Sequence, residues 1–468
     1  MKRALGLSIA LLGALSGTGW ATSMDSPLLE AVRASDHDAI KSLLAKHADP
    51  NAVLPDKSTV LAWAVDRQDP QSVTMLLAAG ARPNVADVSG ATPLTLGCEL
   101  GNTQIVDALI GAGANVKAAR PDGIGALALC AGTATPAVLE KMIAGGADVN
   151  AADPHGQTAL MRAAAVGRTD NIAVLLKHGA NVNAVADKGF TPLFFALKSR
   201  APAAADALVA AGADSKARLP DGTTVIEAAL VEDNIPFAMQ QVKDGADVAQ
   251  SDSHGRQLIH IAAVSGSADL VRLVLAKGGD PNAMTNPPPP PPPSKRFAGE
   301  GAKLAVADGS VAPPKPREFA TPPLILAAEA GSMEAMKALV QAGARPDAKA
   351  ADGTTLALAA AYGGHLDAMK YALELDPNLN AKADGGRSIM HMAVMNWTAP
   401  ETQDVITFLA DKGAVLNAPD DHKHTPADFL NRGQAPQELR VFYAAAEGPQ
   451  GRSQHQPLTL RAPFMAPR

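Results

Sequence analysis

Aromatic residues are scarce: they make up 3 % of the 468 residues, although hydrophobic residues make up 47 %. The apolar content is therefore mostly alanine and leucine, which suits thin layers packed closely together rather than one large core. Cysteine is nearly absent as well, with two residues, which excludes a disulfide-dense scaffold and a four-cysteine zinc site. Charge of one sign is not in excess. A formal charge of −6 and an isoelectric point near 6.0 lack the basic footprint that general nucleic-acid binding needs. A mean hydropathy near zero excludes a polytopic membrane protein. What the chain has in quantity is punctuation, with 40 glycines and 36 prolines.

Met1-Lys2-Arg3 precedes an apolar stretch from Ala4 to Leu15 and a small-residue region ending Gly19-Trp20-Ala21. A basic start, a short apolar run and small residues at a cut site read as a signal peptide over residues 1–21, cleaved after Ala21. The run is well short of the ~20 residues a membrane span needs. The expectation is an exported chain, periplasmic or extracellular, with no stable membrane insertion after cleavage.

Internal periodicity decides the fold class. Leu28, Leu61, Leu94, Leu127, Leu160, Leu193, Ile226 and Ile259 recur every 33 residues, and Leu324, Leu356 and Met390 take the same role further on. Gly80, Gly113, Gly146, Gly179, Gly212, Gly245 and Gly278 keep the same period, with Gly343 and Gly413 beyond. In the unit beginning Asp87-Val88-Ser89-Gly90, Asp and Gly form a turn, Thr92 caps a helix and Pro93 fills its first position. Leu94 and the residue three later share a face, where a small residue lets the neighbouring repeat approach. Gly101-Asn102 ends the helix, a second apolar-periodic segment runs from Gln104 to Ile110, and Gly113 closes it. The unit reads turn, helix, loop, helix, turn.

These residues resemble the ankyrin repeat family. Thr92-Pro93-Leu94, Thr191-Pro192-Leu193 and Thr425-Pro426 are similar to its T-P-L-H-x-A signature, and Gly146-Ala147-Asp148-Val149-Asn150-Ala151 and Gly179-Ala180-Asn181-Val182-Asn183-Ala184 to its tail. The signature histidine is matched by His260 and His391, which the resemblance implies are structural turn braces. The resemblance spans Ser26 to Ala446 and implies an all-α repeat solenoid of stacked helix-turn-helix repeats with β-turn fingers. The expected organisation is repeats 1–8 over residues 26–284, an insertion over 285–320, repeats 9–12 over 321–446 and a disordered tail over 447–468. The insertion carries seven consecutive prolines, Pro287 to Pro293, which stay extended, in surroundings too poor in apolar residues to fold alone. It reads either as a tolerated surface excursion or as a docking arm.

Motifs for chemistry are missing: there is no H-E-x-x-H, G-x-S-x-G, phosphate loop, dinucleotide fingerprint or C-x-x-C. Residues three repeats apart in a solenoid stand too far apart to converge on one substrate. No enzymatic activity, cofactor or metal is expected. His155 and His254 are three repeats apart, and His422-Lys423-His424 lies on a turn with no further ligand placed by sequence. Cys98 and Cys130 fall in adjacent repeats; neighbouring first helices stand roughly 8–10 Å apart, beyond the ~7 Å Cα limit for a bridge, so two buried thiols are expected.

In members of the resembled family that bind partners, contacts come from the finger, from the residue after its glycine and from the end of the first helix. Carried onto this chain, those positions are Arg67, Glu99, Phe190, Lys198, Glu232, Arg256, Glu329, Tyr362, Arg387 and Trp397. Phe190, Tyr362 and Trp397 stand out in a chain so short of aromatics, since aromatic and Arg side chains anchor interface cores. The alternative for each is packing on the neighbouring repeat. Signs of charge alternate along these positions, which selects neither nucleic acid nor anionic lipid. The expected function is a protein-interaction scaffold acting as a monomer and holding a protein partner on a concave finger and helix face. The alternative is an accessory subunit or inhibitor regulating a periplasmic enzyme.

Overall fold

The computed structural model describes residues 26–286, 320–399, 401–432 and 435–447. Of the segments expected from sequence, the signal peptide at 1–21, residues 287–319 of the insertion and residues 448–468 of the tail lie outside these. The described residues form 24 α-helices in consecutive pairs, with short hairpin fingers between pairs. They fall into two compact units. The first, through Ala163 and then Arg168–Asn181, holds the pairs from Pro27–Arg33 with His37–Ala45 onward. The second holds Ala164–Gly167 and the described residues from Val182.

Local chemistry explains each element. Thr92 adopts extended dihedrals and its hydroxyl accepts the Thr95 N–H at 3.2 Å, while Pro93 opens helix Pro93–Leu100. Gly101 ends that helix in the left-handed region, and the Asn102 side chain caps the next helix, Thr103–Gly111, by accepting from the Ile105 N–H. The same device recurs with Asp36, Asp69, Ser267 and Ser332 before other second helices. Most second helices then close through a tail glycine at positive φ, from 83° at Gly113 to 96° at Gly245. The whole Leu28-to-Met390 apolar series is buried, so the 33-residue register is the register of the core. Gly97 is small for a reason other than the one the sequence suggests: a Cβ there would meet Val106 and Leu109, on the second helix of its own repeat.

Cys98 and Cys130 form a disulfide, with Cα atoms 4.5 Å apart, which overturns the expectation of two free thiols. The expectation treated the spacing of helix axes as the spacing of Cα atoms. Each Cα lies about 2.3 Å from its axis, so facing residues on helices roughly 8–10 Å apart come within about 3–5 Å. The bridge joins helix Pro93–Leu100 to helix Ala126–Ala131, and the Thr133 hydroxyl donates to the Cys98 carbonyl beside it.

The excursion after Asn286 starts and ends at one finger tip. Thr285 and Asn286 are in register with Asp252 and Ser253 of the preceding finger, and Ala320 stands in the register of Gly255. The Ala320 N–H donates to the Asn286 carbonyl at 2.7 Å, and the Thr321 N–H to the Thr285 hydroxyl at 3.0 Å. Ala320 takes a left-handed φ of 41°, the role that glycine plays in the finger before it.

Candidate partner-binding face

Each finger is a small hairpin, pinned at its base by pairings such as Val53 with Thr59, Ala152 with Thr158 and Ser251 with Gln257. The aspartate at its turn gathers main-chain donors: Asp252 accepts from the N–H groups of His254 and Arg256 at 2.8 Å and pairs with the Arg256 guanidinium at 2.7 Å. Burial alone would raise the Asp252 pKa, yet Arg256 and these N–H bonds hold it below the usual carboxylate range. Arg256 is thereby committed within its own finger.

In the first unit, Arg67 is exposed. Glu99 is engaged by Arg120 at 3.1 Å, which also holds Asp122 at 2.6 Å. In the second unit, Glu232 receives the Arg200 Nε at 3.1 Å from the preceding repeat. Phe190, half-buried, meets Phe194 edge-on at 6.0 Å between centroids and Phe195 at 5.8 Å, and the Lys198 ammonium sits 5.4 Å from its ring. Tyr362 and Trp397 are half-buried against the core, and the Asn396 side chain donates to the Tyr362 carbonyl, which sets these two on adjoining repeats. Glu329 is half-buried and Arg387 is exposed on the short strand Arg387–Ser388. The structure thus joins Phe190 with Lys198 and sets Tyr362 beside the Asn396-Trp397 step.

His260 and His391 are wholly buried. In each, Nδ1 accepts a main-chain N–H of its own helix start, from Gln257 at 3.0 Å and Ser388 at 3.2 Å, so Nε2 carries the proton and donates to a carbonyl, of Ala283 and His424 respectively, at 3.0 Å. Burial drives both rings below the ordinary histidine pKa. His422 and His424 stack at 6.2 Å, and no group of three or more metal-ligating side chains gathers among the described residues.

Sequence reasoning missed three features. Trp63 lies two residues beyond its signature leucine, under the Arg33 guanidinium at 4.4 Å, and donates its indole N–H to Ser58; the pairing joins adjacent repeats and left no trace in the motif. Arg120 and Arg200, the partners of Glu99 and Glu232, lie outside the positions carried over from the family. A cavity of about 270 Å³ opens between the repeats led by Ile226 and Ile259, with Glu227 in its wall. Thr224-x-x-Glu227 was legible as a capping box.

Helix pairs joined by hairpin fingers define a repeat solenoid. Family models of ankyrin repeats match residues 28–120, 127–218, 254–286 and 324–420, well over half of the chain, and the chain belongs to the ankyrin repeat family. Solved structures similar to it include the human ASB11 ankyrin repeat domain, at 25 % identity with a TM-score of 0.39, covering 45 % of this chain and 98 % of that one. The ankyrin repeat domain of Bcl-3, described as a unique member of the IkappaB protein family, is 28 % identical with a TM-score of 0.38, over 44 % of this chain and 95 % of that one. No curated protein matches the chain. Ankyrin repeats generally mediate protein–protein interaction, and neither matching family model is that of an enzyme. Among the described residues no helix is long and apolar enough to cross a membrane.

Proposed function

We propose that the chain is an exported, non-enzymatic scaffold that binds a protein partner across its fingers and first-helix ends. The observation that carries this reading is the state of the candidate residues. Glu99, Glu232 and Arg256 are engaged in ion pairs, whereas Phe190, Tyr362 and Trp397 are half-buried, held in place by packing and still partly open to solvent. Ordered aromatics lose little freedom when a partner covers them, which favours them as anchors. Export is supported by the N-terminal segment and by the disulfide, because such bridges persist in oxidising compartments and are rare where thiols are kept reduced.

The test is affinity capture from periplasmic and secreted fractions of the native host, with the mature chain and its F190A/Y362A/W397A variant. Specific recovery of one protein that the triple variant loses is the expected result. Equal recovery by both would remove the aromatic face from the proposal.

A further inference from the structure

Five joints between neighbouring tails are made by an asparagine four residues after the tail glycine position; in other repeats Lys117, Lys216, Ala249 and Asp347 hold that position. The asparagine side-chain NH2 donates to the carbonyl of the next tail glycine, and its oxygen accepts the N–H two residues further on. Asn51 holds Gly80 and Arg82 in this way, Asn84 holds Gly113 and Asn115, and Asn150 holds Gly179 and Asn181. Asn183 holds Gly212 and Asp214, and Asn282 reaches across the insertion to Gly343 and Arg345. All ten bonds lie between 2.7 and 3.2 Å. The array therefore shows five times how this pair of main-chain groups receives a primary carboxamide.

At the joint after Gly212 the asparagine is replaced by Lys216. The next tail glycine is Gly245, and neither its carbonyl nor the Asp247 N–H has a protein hydrogen-bond partner among the described residues. Lys216, Gly245 and Asp247 line the cavity of about 270 Å³, together with Glu227 and Gln250 over a floor that includes Ile226. Glu227 is 5 % exposed and stands in the register of His260. One of its carboxyl oxygens accepts the Thr224 N–H at 2.6 Å. The wall thus presents an ammonium, two carboxyl groups and an unclaimed carboxamide receptor around a space large enough for a small polar molecule.

We propose that this joint binds a free amino acid bearing a primary carboxamide, glutamine or asparagine, whose amide supplies in trans the contact that asparagine makes in cis elsewhere. The amide NH2 donates to the Gly245 carbonyl and its oxygen accepts from the Asp247 N–H. The α-ammonium faces Glu227 and Asp247, and the α-carboxylate faces Lys216. The wall's mixture of charge signs matches a zwitterion, which favours the free amino acid over a carboxamide inside a peptide.

The test titrates the mature chain with L-glutamine, L-asparagine, L-glutamate and N-acetyl-L-glutaminamide, following heat and the Asp247 amide resonance. Saturable binding of glutamine or asparagine that shifts this resonance is expected, with glutamate at least about tenfold weaker because its carboxylate still accepts the Asp247 N–H but sets an acceptor against the Gly245 carbonyl, where the amide NH2 donates. Binding of the acetylated amide as tightly as the free amino acid would keep the carboxamide contact and move its source to a peptide. The K216N variant rebuilds the internal clamp and is expected to melt higher and to lose the ligand. The proposal is overturned if neither amide binds up to about 10 mM, a range in which affinities of only a few kcal/mol still register, if glutamate binds equally well, or if folded K216N binds as the parent does. Should K216N not fold, E227Q serves in its place, with weaker binding of the free amino acid expected and unchanged binding overturning the placement of the ammonium.

Discussion

His47 occupies the tail position that glycine fills in most repeats, and it adopts the glycine conformation, with φ at 61° and the closing N–H bond to the Leu44 carbonyl that Gly80 makes to Leu77. A side chain costs energy in that region, so His47→Gly is expected to stabilise the first unit by about 0.5–1 kcal/mol, less the greater freedom of glycine in the unfolded chain. Urea midpoints of the two proteins measure it. The buried histidines set a pH dependence whose sign follows from their depressed pKa values. The fold holds these rings neutral while the unfolded chain protonates below about 6.5, so their contribution is whole above that value and is lost as pH falls through the folded pKa. Glu227 acts in the opposite sense: burial raises its pKa, so its carboxyl favours the fold below the ordinary glutamate value and weakens it as pH rises through the raised one. Unfolding midpoints between about pH 7.5 and about pH 5.5 are therefore expected to fall in the parent and to fall less in His260→Gln; equal slopes would refute the assignment.

At the scale of elements, caps and tails were legible because their chemistry is local. Thr92, Pro93, Gly101 and Asn102 each act within a few residues, and their types announce their roles. The contacts between repeats were not. The disulfide depends on which side of each helix faces its neighbour, and the tail clamp depends on a bond over 29 residues whose donor looks like any loop asparagine. Of the candidate positions, Phe190 and Lys198 come together, whereas the ion pairs engaging Glu99 and Glu232 come from Arg120 and Arg200, residues no motif marks. For the clamp, Asn150→Ala removes two hydrogen bonds at an exposed edge and is expected to cost about 1–2 kcal/mol. Hydrogen exchange is expected to quicken at Asn181, whose N–H the clamp holds, ahead of residues elsewhere in the unit.

For the molecule as a whole, stability in a repeat array is close to a sum of repeat terms and neighbour terms, so a covalent tie acts locally. The single disulfide lies in the first unit and closes a separation of 32 residues, which corresponds to about 3–4 kcal/mol by loop entropy. Intact mass is expected to rise by two hydrogens on reduction, and calorimetry of the reduced chain is expected to lower the transition of the first unit while leaving that of the second in place. A uniform shift of both would show that the units unfold as one. The clamps have another consequence. Each asparagine grips the copy that follows it, so a 33-residue unit carries a hand at its end and a handle near its start. Copied in tandem, such a unit meets a partner it already fits, and the array can grow by duplication without inventing a new joint.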